Sequence, residues 1–368
     1  MTKYARVSLW TTWLGATALV ACGGHVVPAN TTPTATAPEE DDAGGGTEAG
    51  SGLPPSIRAG GPGMTDCGSG GTGAESCATS PAVPSGTFMR DDADGMISQA
   101  SAGQATLSSF RMDRYEVTVG RFRQFVTEAA LGWLPASGSG KHSHLNGARG
   151  LVNSADAVGL SYESGWDSSW NVNLATGAPG WDANLSCNDL ATWTSSAGSN
   201  ENRPINCVDW YEAYAFCIWD DAFLPSDAEW NYVASGGGEQ RLYPWSTSAS
   251  SSIDCSCANY GGGSFGLAMY CTASGTNEVG SESPKGDGKW GQSDLGGNVW
   301  EWVLDYFGSS GTCVDCANTT TSPPGNAGGR LNRGGGLGGG SSLETSTIGT
   351  GPQSDRDIEL GVRCARVP

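Results

Sequence analysis

The chain has 368 residues, with 38 acidic against 19 basic side chains and a formal charge of −19. A surface of that sign repels the phosphates of nucleic acids and of anionic lipids, which argues against both as ligands. The composition shifts once, near residue 85, and no internal repeat follows, so one large domain is expected rather than two.

The N-terminus carries Lys3 and Arg6, an apolar run from Val7 to Val20, and then Leu19-Val20-Ala21-Cys22 followed by two glycines. A basic start, an apolar segment too short to span a bilayer and a cysteine in lipobox spacing describe a lipoprotein signal peptide, residues 1–21. Cys22 is then the lipidated N-terminus of the mature chain, and its acyl chains suffice for stable anchoring. The expected location is the cell envelope, as a cell membrane or outer membrane lipoprotein. Removing Lys3 and Arg6 with the signal takes the charge from −19 to −21.

Residues 22–84 are rich in Gly, Ala, Thr and Pro, hold the acidic run Glu39-Glu40-Asp41-Asp42, and contain almost no large apolar side chains. Such a segment buries too little surface to offset its ordering entropy and reads as a disordered tether. Cys67 and Cys77, ten residues apart near its end, are placed to close a small disulfide loop.

Residues 85–368 contain 12 of the 14 tryptophans and form the expected globular domain. Alternation over 110–117 predicts a strand, with Thr118 as N-cap of a helix whose Val119, Phe122, Phe125, Val126 and Ala129 face the core. Asp209 with Glu212 spells a capping box for a second helix, with Trp210, Ala213, Tyr214, Cys217 and Ile218 as its apolar side and an end near Asp220. Ser226 with Glu229 repeats the device for a third. Beyond Gly236, short aromatic segments separated by Gly, Ser and Asn predict loops around short strands and no long helix. The fold class is therefore α+β, with helices early and a loop-rich second half. Eleven cysteines remain beside Cys22, an odd number in an oxidising setting, and Cys313-x-x-Cys316 reads as part of a structural disulfide set rather than a zinc or redox motif.

Several separated segments resemble, in order, one family. They are Arg111 to Thr118, Arg203 to Trp210, Ala215-Phe216-Cys217, Phe223 to Trp230, Tyr243-Pro244-Trp245, Asp294 to Trp302, Arg333-Gly334-Gly335 and Gly361 to Ala365. The family is that of the formylglycine-generating enzymes, or sulfatase-modifying factors, whose relatives include non-heme iron enzymes. The resemblance implies a variant of the C-type lectin fold, low in regular secondary structure. It also implies a disulfide between Cys217 and Cys364. For the other cysteines the pairing stays open: Cys271 with Cys255 or Cys257, and Cys187 with Cys207.

Active members bind copper through two cysteines that follow an Arg-Gly-Gly-Ser segment. Here those positions fall on Gly339 and Glu344, and the chain has no cysteine between Cys316 and Cys364. Neither residue replaces a thiolate for copper(I), so copper is not expected. An iron site would need several His, of which the chain has three. His25 lies in the tether, while His142 and His144 alternate by two in a Gly-Ser-rich stretch that suits a weak metal site or, more simply, a surface loop. No serine sits in a recognisable triad.

The resemblance further implies calcium held by Asp294, the carbonyls of Gly297 and Val299, and Glu301, all hard oxygen donors. A second family calcium site would use Asn259 and Tyr260, but its later aspartate is lost near Cys271. Two functions follow as expectations. One is a calcium-stabilised binding or structural module for an extracytoplasmic peptide, protein or glycan, lacking the catalytic cysteine pair. The other is a metal-dependent oxidoreductase acting on a protein or peptide, with iron as its possible metal.

Overall fold

A computed structural model describes residues 52–68, 75–91, 103–156, 161–247, 252–262, 269–271, 275–308, 311–320 and 328–368. The signal peptide, Cys22 and the tether as far as residue 51 lie outside the described residues.

The tether boundary is corrected by the fold, because residues from Gly52 onward belong to the compact unit that runs to Pro368. What composition could not show is that this segment is ordered by docking onto the domain, around a small apolar cluster of Ile57, Met64 and Ala78. Ser56 N donates to Asp220 Oδ1 at 2.9 Å and Arg121 Nε donates to Ser56 Oγ at 3.0 Å. Gly63 is packed so closely that a Cβ there would sit 2.0 Å from the Glu201 carbonyl oxygen and 3.0 Å from Gly120 Cα. The Cys67–Cys77 disulfide closes the expected loop, and β1 (Ala82–Val83) then pairs antiparallel with β2 (Phe110–Met112).

Helix α1 spans Val119–Ala130, capped by the Thr118 hydroxyl, which accepts from Arg121 N at 3.2 Å. All five apolar positions read from its periodicity are buried. Helix α2, Gly177–Leu185, was not foreseen, because its glycines and proline are poor helix formers. Packing overrides that preference: Trp181 is fully buried edge-on against Phe125, with ring centroids 5.4 Å apart. Helices α3 (Trp210–Trp219) and α4 (Asp227–Ala234) both begin with complete capping boxes, Asp209 with Glu212 and Ser226 with Glu229. Phe216 of α3 stacks on Phe122 of α1 at 5.3 Å, so the aromatic core sits between these helices.

Of the strand expected over 110–117, only Phe110–Met112 is regular. After it the backbone still pairs, through Asp113 N to the Cys364 carbonyl and Val117 N to the Val362 carbonyl, but Asp113 turns its carboxylate inward to meet Arg121 and Arg366. The main sheet has four strands in the order β5 (Gly349–Gly351), β4 (Arg330–Arg333), β3 (Trp300–Tyr306), β6 (Leu360–Gly361). Strand β4 runs antiparallel to β3 and β5, while β6 runs parallel to β3. A second sheet places β2 between β1 and β7 (Ala365–Arg366). Beyond Gly236 the described residues contain only 3-10 turns and short strands, as expected of an α+β, loop-rich fold.

Five disulfides are formed: Cys67–Cys77, Cys187–Cys207, Cys217–Cys364, Cys255–Cys271 and Cys313–Cys316. Cys217–Cys364 ties α3 to the segment before β7 across a separation of 147 residues. The open choice at Cys271 falls on Cys255, which leaves Cys257 as the free thiol among the described cysteines. No helix among the described residues is long and apolar enough to cross a membrane.

Candidate functional site

The segment Asp294 to Trp302 is a tight loop running into β3, and its shape depends on left-handed backbone at Asp294, Gly297 and Asn298, with φ of 59°, 97° and 63°. Gly297 is required twice over, since a Cβ there would meet the Asn259 carbonyl at 2.4 Å. Asn298 tolerates the left-handed region and uses its amide as a junction. Its Nδ2 donates to Glu116 Oε2 at 2.7 Å, and its Oδ1 accepts from Asn277 N at 2.8 Å and Asn259 Nδ2 at 3.2 Å. Glu116 also accepts from Val299 N at 3.1 Å. Burial, then the charges of Asp294 and Glu301, push the Glu116 carboxyl well above the usual range.

Glu301 points into the same interior, and both its oxygens are engaged. Trp230 Nε1 donates to Oε2 at 2.6 Å and Arg363 Nη2 donates to Oε1 at 2.7 Å. A cation drawn to Glu301 would therefore face a fixed guanidinium. Asp294 stands apart from that pair: its Oδ2 accepts from Gly280 N at 2.6 Å, and burial together with Glu282 pushes its carboxyl up to about 7. Asp294 and Glu301 both bear on Glu116 and Arg363, with Glu301 hydrogen-bonded to Arg363 and Asp294 next to Glu282. Asn259 is buried beside Gly297, whereas Tyr260 is half-buried and packs with Leu343 and Ala258.

The Gly-rich segment after Arg333 folds against this loop. Gly334, Gly335 and Gly336 all have positive φ, and a Cβ on Gly336 would lie 2.6 Å from Trp300 Cδ1. Gly339 precedes a 3-10 turn at Gly340–Leu343, and nothing lies within 4 Å of where its side chain would begin. Aromatic rings border the neighbouring glycines: a Cβ on Gly296 would lie 2.9 Å from half-buried Trp245, on which Tyr243 stacks at 5.3 Å. A Cβ on Gly340 would touch Ile253 Cδ1 at 3.3 Å and Tyr260 at 4.0 Å, so the 253–260 segment forms the facing wall. The result is an aromatic lip around bare glycine backbone.

His142 corrects the surface-loop and metal readings of its stretch together. It is fully buried, its Nδ1 lies 3.1 Å from both Glu163 oxygens and its Nε2 lies 3.0 Å from Glu229 Oε2. With a carboxylate on each nitrogen the ring has no lone pair for a metal and is held as imidazolium. Burial opposes that charge, but Glu163 and Glu229 outweigh it and push His142 up to about 10. His144 stacks on Phe223 at 5.6 Å, on the same side as His142. Sequence reasoning missed the triad because Glu163 and Glu229 are 21 and 87 residues away from His142. The capping role of Glu229 was visible, and its second role was not. Among the described residues no group of three or more His, Cys, Asp or Glu side chains is placed to hold a metal ion.

Comparison with known proteins places these features in one family. The family model described as "Sulfatase-modifying factor enzyme 1-like domain" matches residues 70–368. The formylglycine-generating enzyme of Thermomonospora curvata is 27% identical over 266 residues, covering 66% of this chain and 77% of that protein. The formylglycine-generating enzyme of Mus musculus is 28% identical over 236 residues, covering 61% of this chain and 57% of that protein. A second Mus musculus protein, "Inactive C-alpha-formylglycine-generating enzyme 2", is 26% identical over 300 residues, covering 77% of this chain and 84% of its own. With its α+β fold, its Asp294 to Trp302 loop and its Gly-rich lip, the chain belongs to the sulfatase-modifying factor family.

Proposed function

We propose that this chain is a lipid-anchored, extracytoplasmic member of its family that works as a binding or structural module rather than as a formylglycine-generating oxidase. The observation that carries this reading is the lip at Gly339. Where the resemblance calls for a thiol there is a glycine with open space beside it, on a segment whose Gly336 and Gly340 lie against half-buried Trp300 and Tyr260. Glu344, at the other thiol position, offers a hard carboxylate where copper(I) selects soft sulfur. Aromatic faces around exposed main chain suit an extended peptide or a glycan, which stack on rings and bond to backbone groups. The mouse relative named as inactive is a precedent for a family member without the activity.

Five disulfides suit an oxidising compartment, and the lipobox at Cys22 supplies the anchor. Calcium is the metal that the hard oxygens of the Asp294 region favour, as a stabiliser. The purified chain, given a Cys-x-Pro-x-Arg peptide and copper, is expected to leave the peptide's mass unchanged. Turnover that needs copper and stops on chelation would overturn this reading in favour of a metal-dependent oxidoreductase.

A further inference from the structure

The spacing of Cys313-x-x-Cys316 alone groups this pair with the structural disulfides, but its setting in the fold differs from theirs. It closes the shortest loop of the five, a separation of 3 residues against 10, 16, 20 and 147 for the others. A bridge restricts the unfolded chain less the shorter its loop, so this one contributes least by that route.

The fold also holds the loop without the sulfur–sulfur bond. Cys313–Val314 pairs parallel with Gln104–Leu107, and Cys316–Ala317 pairs parallel with Val152–Asn153. Between the two, Asp315 sits in left-handed backbone with φ of 42°. Its N–H donates to the Thr106 carbonyl at 2.9 Å, and its own carbonyl accepts from Val152 N at 2.8 Å. Its carboxylate accepts from Ser108 N at 2.7 Å and from Ser108 Oγ at 2.8 Å. None of these contacts uses sulfur, so the turn stays in place when the disulfide opens.

Access to the two sulfurs is unequal. Cys316 is fully buried, whereas Cys313 is half-buried and follows exposed Gly311 and Thr312. Among the described residues Cys313–Val314 is an edge strand of its three-stranded sheet, and the Val314 side chain beside it is 60% exposed. An open edge next to an exposed apolar side chain suits an extended segment, which bonds to the main chain and brings its own side chains alongside.

We propose that Cys313 and Cys316 form a thiol–disulfide exchange site for a dithiol in an extended segment of a second protein. A thiolate of that segment attacks Cys313 Sγ, the Cys313–Cys316 bond breaks, and Cys316 leaves as a thiolate that takes up the proton lost by the attacking thiol. The segment's second thiolate then attacks the segment's own sulfur in the mixed disulfide, and Cys313 leaves and is protonated in turn. The segment gives up two electrons and two protons and gains a disulfide, while Cys313 and Cys316 take them up as two thiols. The inference goes beyond the binding or structural role proposed above and does not depend on it.

The test incubates the purified native chain with an excess of a reduced two-cysteine peptide, quenches with acid, alkylates, and maps every cysteine. Cys313 and Cys316 are expected to become alkylated at least about tenfold faster than any other paired cysteine, with one equivalent of peptide disulfide formed and the near-ultraviolet circular dichroism unchanged. Cys257, a free thiol from the start, is the labelled reference. Given oxidised glutathione instead, Cys316→Ser should carry glutathione on Cys313, whereas in Cys313→Ser the buried Cys316 should stay unmodified. The proposal is overturned if another disulfide opens within that tenfold margin, if this pair stays closed, or if its opening unfolds the chain. Failure of either variant to fold, or glutathione on Cys316 rather than Cys313, would overturn it equally.

Discussion

At the Asp113 end of the molecule two carboxylates meet two guanidiniums: Arg121 lies 3.0 Å from Asp113 and 2.7 Å from Asp220, and Arg366 lies 2.9 Å and 2.6 Å from the same pair. At the Asp294 end Glu116, Asp294 and Glu301 share the guanidinium of Arg363, with Glu282 beside Asp294. Both groups are buried, but the first closes on itself and the second does not. In the balanced group, burial would raise the Asp113 carboxyl, yet Arg366 and Arg121 overcome it and hold it below the usual range. In the unbalanced group, burial and neighbouring acids act together, and Glu116 and Asp294 are both raised. The difference shows how one interior can use charge in two ways. A closed set ties segments together, here the docked N-terminal stretch, α1, α3 and β7. An open set is an unsatisfied demand for positive charge.

Breaking the balanced set should give the largest effect. Arg121→Leu leaves two buried carboxylates, Asp113 and Asp220, with Arg366 alone and frees Ser56, and we expect a loss of about 3–5 kcal/mol in chemical denaturation. A loss under about 1 kcal/mol would mean that Arg366 alone carries the network.

The His142 triad sharpens the comparison, since it pairs one cation with two carboxylates. Its folded pKa is raised from 6.5 to about 10, so its stabilisation is complete below the unfolded value and is lost as pH rises through about 10. The groups facing it are Glu163 and Glu229, with His144 adjacent. Urea midpoints should therefore decline from about pH 7 towards pH 10, and His142→Gln should flatten the decline. An unchanged slope in the variant would show that the triad is not the titrating element.

Ser226→Ala touches the same triad more gently. The hydroxyl caps α4 by accepting from Glu229 N at 3.2 Å and donates to Glu229 Oε2 at 3.0 Å. A cost of about 1 kcal/mol is expected, visible as a small drop in the unfolding midpoint. The smallest effect belongs to the unbalanced set: in EDTA, Glu282→Gln should stay within about 1 kcal/mol of wild type or exceed it, because it removes repulsion rather than attraction. A loss comparable with Arg121→Leu would erase the distinction between the two groups.

Much of the helical half was legible in the residues. Capping boxes at Asp209 and Ser226 are local signals, since cap and partner lie three residues apart, and the apolar face of α1 follows from helical periodicity alone. The ordered family segments carried the fold, and with it Cys217–Cys364, whose Cα atoms are 5.6 Å apart. Helix α2 was hidden because Trp181 and Leu185 hold it by burial against α1 while its own residues disfavour it. The choice of Cys255 over Cys257 for Cys271 was equally invisible, because two cysteines two residues apart look alike until the chain places one of them.

What the sequence determined by itself, then, were the properties that depend on near neighbours and on order along the chain: the α+β class, the three capped helices and the family. Tertiary structure alone decided which charges meet. Ser56 reaches Asp220 across 164 positions, His142 reaches Glu229 across 87, and Arg363 reaches Glu301 across 62, so Glu301 is neutralised while Asp294 is left beside Glu282. Electrostatic energy depends on separation in space and on burial, and neither is written in the spacing of residues along a chain.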